Sequence, residues 1–167
     1  VVNRAPNYGM FGMVCPDSIC NSSVASAGSS LSVDVRDRRV SINFWQDRLT
    51  SGPGRELVPG KWHHIAVSKS PGTKADTTKL YIDGVLAPTL LLGSDNAPSF
   101  ASNQRVEAGV GSRSSTFSSL REALAGLLVD DLRVYSAALT REQVQVLSDS
   151  KAGWSGTTAS LGITSNG

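Results

Sequence analysis

The chain has 167 residues, 40% hydrophobic and 18% charged, with 16 basic and 14 acidic side chains and 16 glycines. That is enough for one domain burying about 70% of its unfolded surface, and too little for two of ordinary size. The low charged fraction and the abundance of Gly, Ser and Thr exclude long helical bundles and coiled coils, and a net charge of +2 is too even to make nucleic acid the default partner.

In chain order, Tyr8 to Val14 reads as a strand loosened by Gly9 and Gly12. Cys15-Pro-Asp-Ser-Ile-Cys20 follows, and its turn-forming interior can bring the two sulfurs together, so a local disulfide is favoured over two free thiols. A metal or redox pair is disfavoured, because no second pair of ligands and no Cys-x-x-Cys spacing is present. Asn21-Ser22-Ser23 fits the N-glycosylation pattern, and beside a disulfide it favours an extracellular setting.

Leu31, Val33 and Val35 alternate with polar residues, and so do Val40, Ile42 and Phe44. The two runs make a hairpin whose tip carries Arg36, Asp37, Arg38 and Arg39. Trp62 to Ser68 reads as a strand in which His63 and His64 face opposite ways. Leu80 to Val85 holds Asp83-Gly84, the signal of a tight type I′ turn. Arg105 to Val110 and Leu127 to Tyr135 complete the strands. Only one helix is expected, capped by Thr140 with Gln143 three residues on and ending near Ser150. The segments 21–30, 70–78, 94–104 and 111–119 read as exposed loops.

Eight or more short strands and one small helix call for an all-β antiparallel sandwich or barrel. Residues 1–150 form the domain, and 151–167 are a polar tail in which Ala159 to Thr164 can add an edge strand. No stretch reaches the ~20 apolar residues of a membrane helix, so no membrane insertion is expected. The first residue is Val1 and no charged-then-apolar leader follows it. The chain is therefore expected to be a processed protein or a segment of a longer one.

Three motifs in order carry a resemblance: Gly60-Lys-Trp-His-His-Ile-Ala-Val67; Lys79-Leu-Tyr-Ile-Asp-Gly84; and Gly126 with Val129-Asp-Asp-Leu-Arg-Val-Tyr135, Ala138-Leu-Thr140 and Glu142. From about Met10 to Leu147 the chain resembles the laminin-G-like jelly roll of the concanavalin A-like lectin/glucanase superfamily. The resemblance implies a two-sheet antiparallel jelly-roll sandwich with one short helix near the C-terminus. It also implies a non-catalytic, extracellular or cell-surface recognition or adhesion module. Two departures stand out: a reduced strand before Tyr8, and an extra residue between Gly126 and Asp130 that suggests a bulge. Trp62 and Tyr81 are large enough to span such a core.

The resemblance also implies Ca²⁺ held through Asp130 and loop carbonyls, since calcium needs six to eight oxygens. The bland alternative is that Asp130 and Asp131 cap local backbone, with Asp131 pairing Arg133. Hydrolase chemistry is disfavoured. It needs two facing carboxyls roughly 5 Å apart, no Glu-x-Asp-x-Glu occurs, and adjacent strand residues point apart. A nucleophilic triad or two-His metal site at His63 and His64 lacks partners.

Arg36, Arg38 and Arg39 can contact acidic glycans, although Asp34 and Asp37 offset them. Trp154 can stack on sugar, and Trp45 is expected in the core. The expected function is a module binding a glycan or extracellular protein through rim loops. The alternative is a structural domain contacting neighbouring domains of a larger assembly.

Overall fold

The computed structural model describes residues 7–14, 30–44, 47–93, 107–110 and 128–150. In chain order the elements are β1 (Asn7–Val14), β2 (Ser30–Arg36), β3 (Arg39–Phe44), β4 (Asp47–Ser51), β5 (Ile65–Lys69), α1 (Lys74–Thr77), β6 (Thr78–Ile82), β7 (Val85–Ala87), β8 (Thr89–Leu92), β9 (Glu107–Val110) and α2 (Arg141–Asp149). They form a six-stranded sheet, β8-β4-β3-β2-β1-β9, and a three-stranded sheet, β5-β6-β7. Every pairing is antiparallel. This is the two-sheet sandwich with a short C-terminal helix that the sequence and the resemblance implied.

Alternation decides which face of each strand is buried. Val33 pairs with Ile42, and Ile42 with Leu49. With Val40 and Phe44, these residues meet Leu80, Ile82 and Ala87 of the smaller sheet in one apolar cluster. Ile42 and Leu80 are fully enclosed, and each such side chain contributes about 1.5–3 kcal/mol by leaving water. The opposite face of the larger sheet carries Ser41, Thr50 and Leu90 in register.

Both hairpin tips use left-handed backbone. Asp83 and Gly84 lie at φ 52° and 74°, as the Asp-Gly signal predicts, and Asp37 and Arg38 lie at φ 50° and 62°. The second pair costs more, because a bulky L-residue there is disfavoured by about 1–2 kcal/mol. Gly84 has a second constraint. A Cβ on it would stand 3.0 Å from Gln145 and Ser148, so α2 packs directly over this turn. The helix enters through a full capping box between Thr140 and Gln143 and buries Val144.

Several expectations are corrected. The segment 70–78, read as a loop, contains α1, a single turn in which Thr73 accepts from the Asp76 N–H at 3.4 Å. Lys69 Nζ ties that loop down through the Gly72 carbonyl at 3.1 Å. The strand expected from Trp62 starts only at Ile65, and Trp62 is 57% exposed, so it spans no core, whereas Tyr81 is buried. The strand expected over Leu127 to Tyr135 is not formed across the described residues 128–135, where Leu128 is 79% and Val134 64% exposed. Asp131 at φ 52° turns the backbone out of the extended region mid-segment, so alternation cannot run through it. Cys15, Cys20, Asn21, Trp45, Trp154, the extra residue after Gly126 and the tail strand lie outside the described residues.

Replacing Leu80 with Ala removes a fully enclosed side chain from the junction of the two sheets. Urea denaturation is expected to show a loss of about 3 kcal/mol. Thr140→Ala, which deletes the helix cap, is expected to cost about 1 kcal/mol.

Candidate functional site

The two histidines sit where β5 begins, and Asp83 reaches them across the sheet. Val58 N–H donates to His63 Nε2 at 2.9 Å. That nitrogen must therefore hold a lone pair, and the proton sits on Nδ1, which faces Asp83 Oδ2 at 2.8 Å. The other carboxylate oxygen accepts from the His64 N–H at 2.9 Å, and the Asp83 N–H donates to the His64 carbonyl at 2.8 Å. Both ring nitrogens of His63 are thus occupied by the fold. The histidine is part of a clasp that locks the β6–β7 turn to the start of β5, which is a structural use and leaves no ring nitrogen for substrate. Both histidines precede the strand in which the sequence reading placed them, since β5 starts at Ile65.

A second concentration of polar side chains lies on the outward face of the six-stranded sheet. It is a groove of about 440 Å³ at the β2–β3 tip, walled by Arg36, Arg38, Arg39 and Arg48. Its floor comes from β3, β4 and β8. Ser41 Oγ donates to Thr50 Oγ1 at 3.2 Å, and Leu90 and Leu92 lie beside them in register. Both leucines are nearly half exposed, at 49% and 46%.

Asp37 and Glu56 also line the groove. Arg39 Nη2 pairs with Glu56 Oε1 at 3.4 Å, and Gly54 N–H donates to the other oxygen at 3.1 Å. The Glu56 carboxyl is held below its ordinary value of 4.5, by its own backbone N–H above all; desolvation, the next-largest effect, opposes this, and the charge of Arg39 and the Gly54 N–H lower it further. Among the described residues, the Nε of Arg48 is enclosed without a hydrogen-bond partner.

The structure brings the expected Arg38 and Arg39 together in this groove, on a sheet face and not only at a loop tip. Asp130 does not join them. Its Oδ1 accepts from the Asp131 N–H at 2.8 Å, while Asp131 Oδ1 accepts from Arg133 Nε at 2.9 Å. No group of three His, Cys, Asp or Glu side chains able to hold a metal ion occurs among the described residues. No helix among them is long and apolar enough to cross a membrane.

A laminin-G-type family profile, described as the Concanavalin A-like lectin/glucanases superfamily, matches residues 16–145. The chain belongs to that superfamily. No curated protein matches it. Among solved structures, the superfamily domain is similar to an S-layer domain-containing protein from Clostridium thermocellum ATCC 27405, at 20% identity and a TM-score of 0.36. That alignment covers 89% of this chain and 65% of the other.

Sequence reasoning missed Arg48, Thr50, Leu90 and Leu92, because β4 and β8 were not recognised as strands. In β4 the only apolar residue is Leu49, and β8 is an unbroken Leu90-Leu91-Leu92 run with no alternation to read. It also missed the His63–Asp83 contact, which joins residues 20 positions apart.

Asp83→Ala is expected to cost about 2 kcal/mol in urea denaturation, through lost charge-assisted hydrogen bonds and a left-handed Ala. Asp83→Asn, which tolerates that backbone, is expected to cost about half as much. For Glu56 the folded-state pKa is depressed, so its contribution is complete above 4.5 and disappears as pH falls through the lowered value. Titration of its carboxyl carbon by NMR is expected to find the Arg39 pair intact at about pH 5 and lost only in stronger acid.

Proposed function

We propose that this superfamily domain is a non-catalytic recognition module of an extracellular or cell-surface protein, binding a glycan or protein partner on its outward sheet face. The observation that carries the reading is the groove where four arginines surround Thr50, Leu90 and Leu92. A sandwich interior fills one face of each sheet with apolar side chains and leaves the other available for binding groups. Here the available face presents hydroxyl, guanidinium and apolar surface within one concavity, which is the mixture that a site for a small or chain-like ligand requires. Against catalysis stand the missing Glu-x-Asp-x-Glu pattern and the engagement of both His63 ring nitrogens by Val58 and Asp83.

The structural alternative, contact with neighbouring domains of a larger assembly, is favoured by a different surface. Leu128, Leu132, Val134 and Tyr135, together with Val146 on α2, are all exposed. Such residues fit lateral contacts better than they fit a soluble ligand.

A glycan screen on the purified domain, with and without EDTA and in parallel with sedimentation velocity, tests both. Saturable glycan binding by a monomer is expected. Concentration-dependent assembly without glycan binding would favour the structural reading. Loss of binding in EDTA would show that binding needs a divalent cation, for which calcium at Asp130 is the expectation to test by Asp130→Ala.

A further inference from the structure

We infer that His63 is a proton-operated latch on the turn that precedes β5. When the ring takes up a second proton it keeps Asp83 and lets go of Val58, so that mildly acidic surroundings free the flap 58–62. This goes beyond the recognition reading and does not depend on what the outward sheet face binds.

The proton inventory of the ring comes first. A neutral imidazole offers one donor and one acceptor, and an imidazolium offers two donors and no acceptor. In the clasp, Nε2 accepts from the Val58 N–H at 2.9 Å and Nδ1 faces Asp83 Oδ2 at 2.8 Å. A second proton therefore sets Nε2–H against the Val58 N–H, donor against donor, while it strengthens the bond from Nδ1 to the carboxylate. The ring is 13% exposed, enough for exchange of protons with solvent. One of its two contacts must break.

The two sides of the clasp differ in what holds them. Asp83 is fixed by the His64 N–H on its second oxygen at 2.9 Å and by its own N–H on the His64 carbonyl at 2.8 Å. Beyond it, α2 packs on Gly84. Val58 is 47% exposed and starts a turn that the Lys61 N–H closes on the Val58 carbonyl at 3.2 Å. Pro59 and Gly60, the latter at φ 78°, are the central pair that a type II turn favours. Residues 58–62 can therefore move as one piece, with the Val58 N–H passing to water at little cost. Moving Asp83 would undo a hairpin and the seat of a helix.

The hinge is set by neighbouring contacts. Leu57 packs against the core cluster, and its N–H donates to the Arg38 carbonyl at 2.7 Å. Gly52 N–H donates to the Pro88 carbonyl at 2.7 Å. Motion therefore stops at Leu57, and the flap carries the 57% exposed Trp62 with it.

The charged groups around the ring act in both directions. Asp83 favours the cation directly, and Asp149 of α2, which accepts from Gln145 Nε2 at 2.8 Å, adds to it from one side chain further off. Arg55 and Lys61, in the same loop as the ring, oppose it. Glu56 is engaged with Arg39 at 3.4 Å. Histidine is the side chain that ordinarily changes charge between about pH 5 and 8, and His63 and His64 are the only two in the chain.

The test is NMR of the isotope-labelled domain, without ligand, at about pH 7.5 and about pH 5. Ring nitrogen shifts are expected to show His63 protonated on Nδ1 alone at the higher pH and on both nitrogens at the lower. Hydrogen-exchange protection of the Val58 amide, relative to its intrinsic rate, is expected to fall about fivefold in acid. The Trp62 indole signal is expected to shift with it, while the Leu57 and Gly52 amides keep their protection. His63→Gln is expected to make the Val58 amide insensitive to this pH change. His64→Gln, which leaves the His63 ring in place, is expected to keep the response.

A proton on Nε2 at the higher pH, or a ring still neutral at the lower, would overturn the latch. So would a doubly protonated ring with Val58 protection unchanged, or a response that survives His63→Gln. Loss of protection shared with Leu57, Gly52, Ile42 and Leu80 would mark general acid unfolding and would overturn it as well. If His63→Gln does not fold, the ring nitrogen and Val58 signals of the unaltered domain decide the matter by themselves.

Discussion

The interior shared by the two sheets is the constraint on which the rest of this molecule depends. Leu80, Ile82 and Ala87 from the three-stranded sheet close over Val33, Val40, Ile42, Phe44 and Leu49 from the six-stranded one. Strand side chains alternate, so fixing these residues inward fixes Ser41, Arg48, Thr50, Leu90 and Leu92 outward, with no further freedom. The groove is thus a consequence of packing on the opposite side of the same strands. A one-residue slip of β4 would exchange Leu49 with Arg48 and Thr50, bury a guanidinium in the core and destroy both faces together.

Around that interior the tight connections are held by specific devices. Asp83 serves as turn residue, acceptor for the His64 N–H and partner of His63. One side chain therefore sets the β6–β7 hairpin and anchors the start of β5. The same turn seats α2, because Gly84 leaves the space that Gln145 and Ser148 fill. Ser68 Oγ donates to the Leu139 carbonyl at 2.9 Å and ties the approach to the helix back onto β5. The smaller sheet is thereby devoted to holding the chain together, while the larger one has an outward face available for recognition.

Much of this was legible in the sequence. Period-two alternation announced β2 and β3, Asp83-Gly84 announced its turn, and Thr140 with Gln143 announced the helix cap. These signals are local, and each is decided within a few residues of itself. The segment 128–135 misled because its alternating residues are interrupted at Asp131, whose left-handed backbone is invisible in composition. Trp62 misled because size was read as burial. The groove was half legible. Arg36, Arg38 and Arg39 cluster in sequence, but Arg48 and the two leucines reach them only through the β3–β4 and β4–β8 pairings, which no short pattern encodes.

Recognition by this domain requires that ligand meet the outward face of β3, β4 and β8. Its most direct measurement is an amide chemical-shift map of the isotope-labelled domain titrated with the tightest-binding oligosaccharide. The account predicts saturable shifts concentrated at Arg38, Arg39, Ser41, Arg48, Thr50, Leu90 and Leu92, with β5 and α2 undisturbed. Shifts confined to β5, α2 or the segment 128–135, with those seven amides silent, would contradict it.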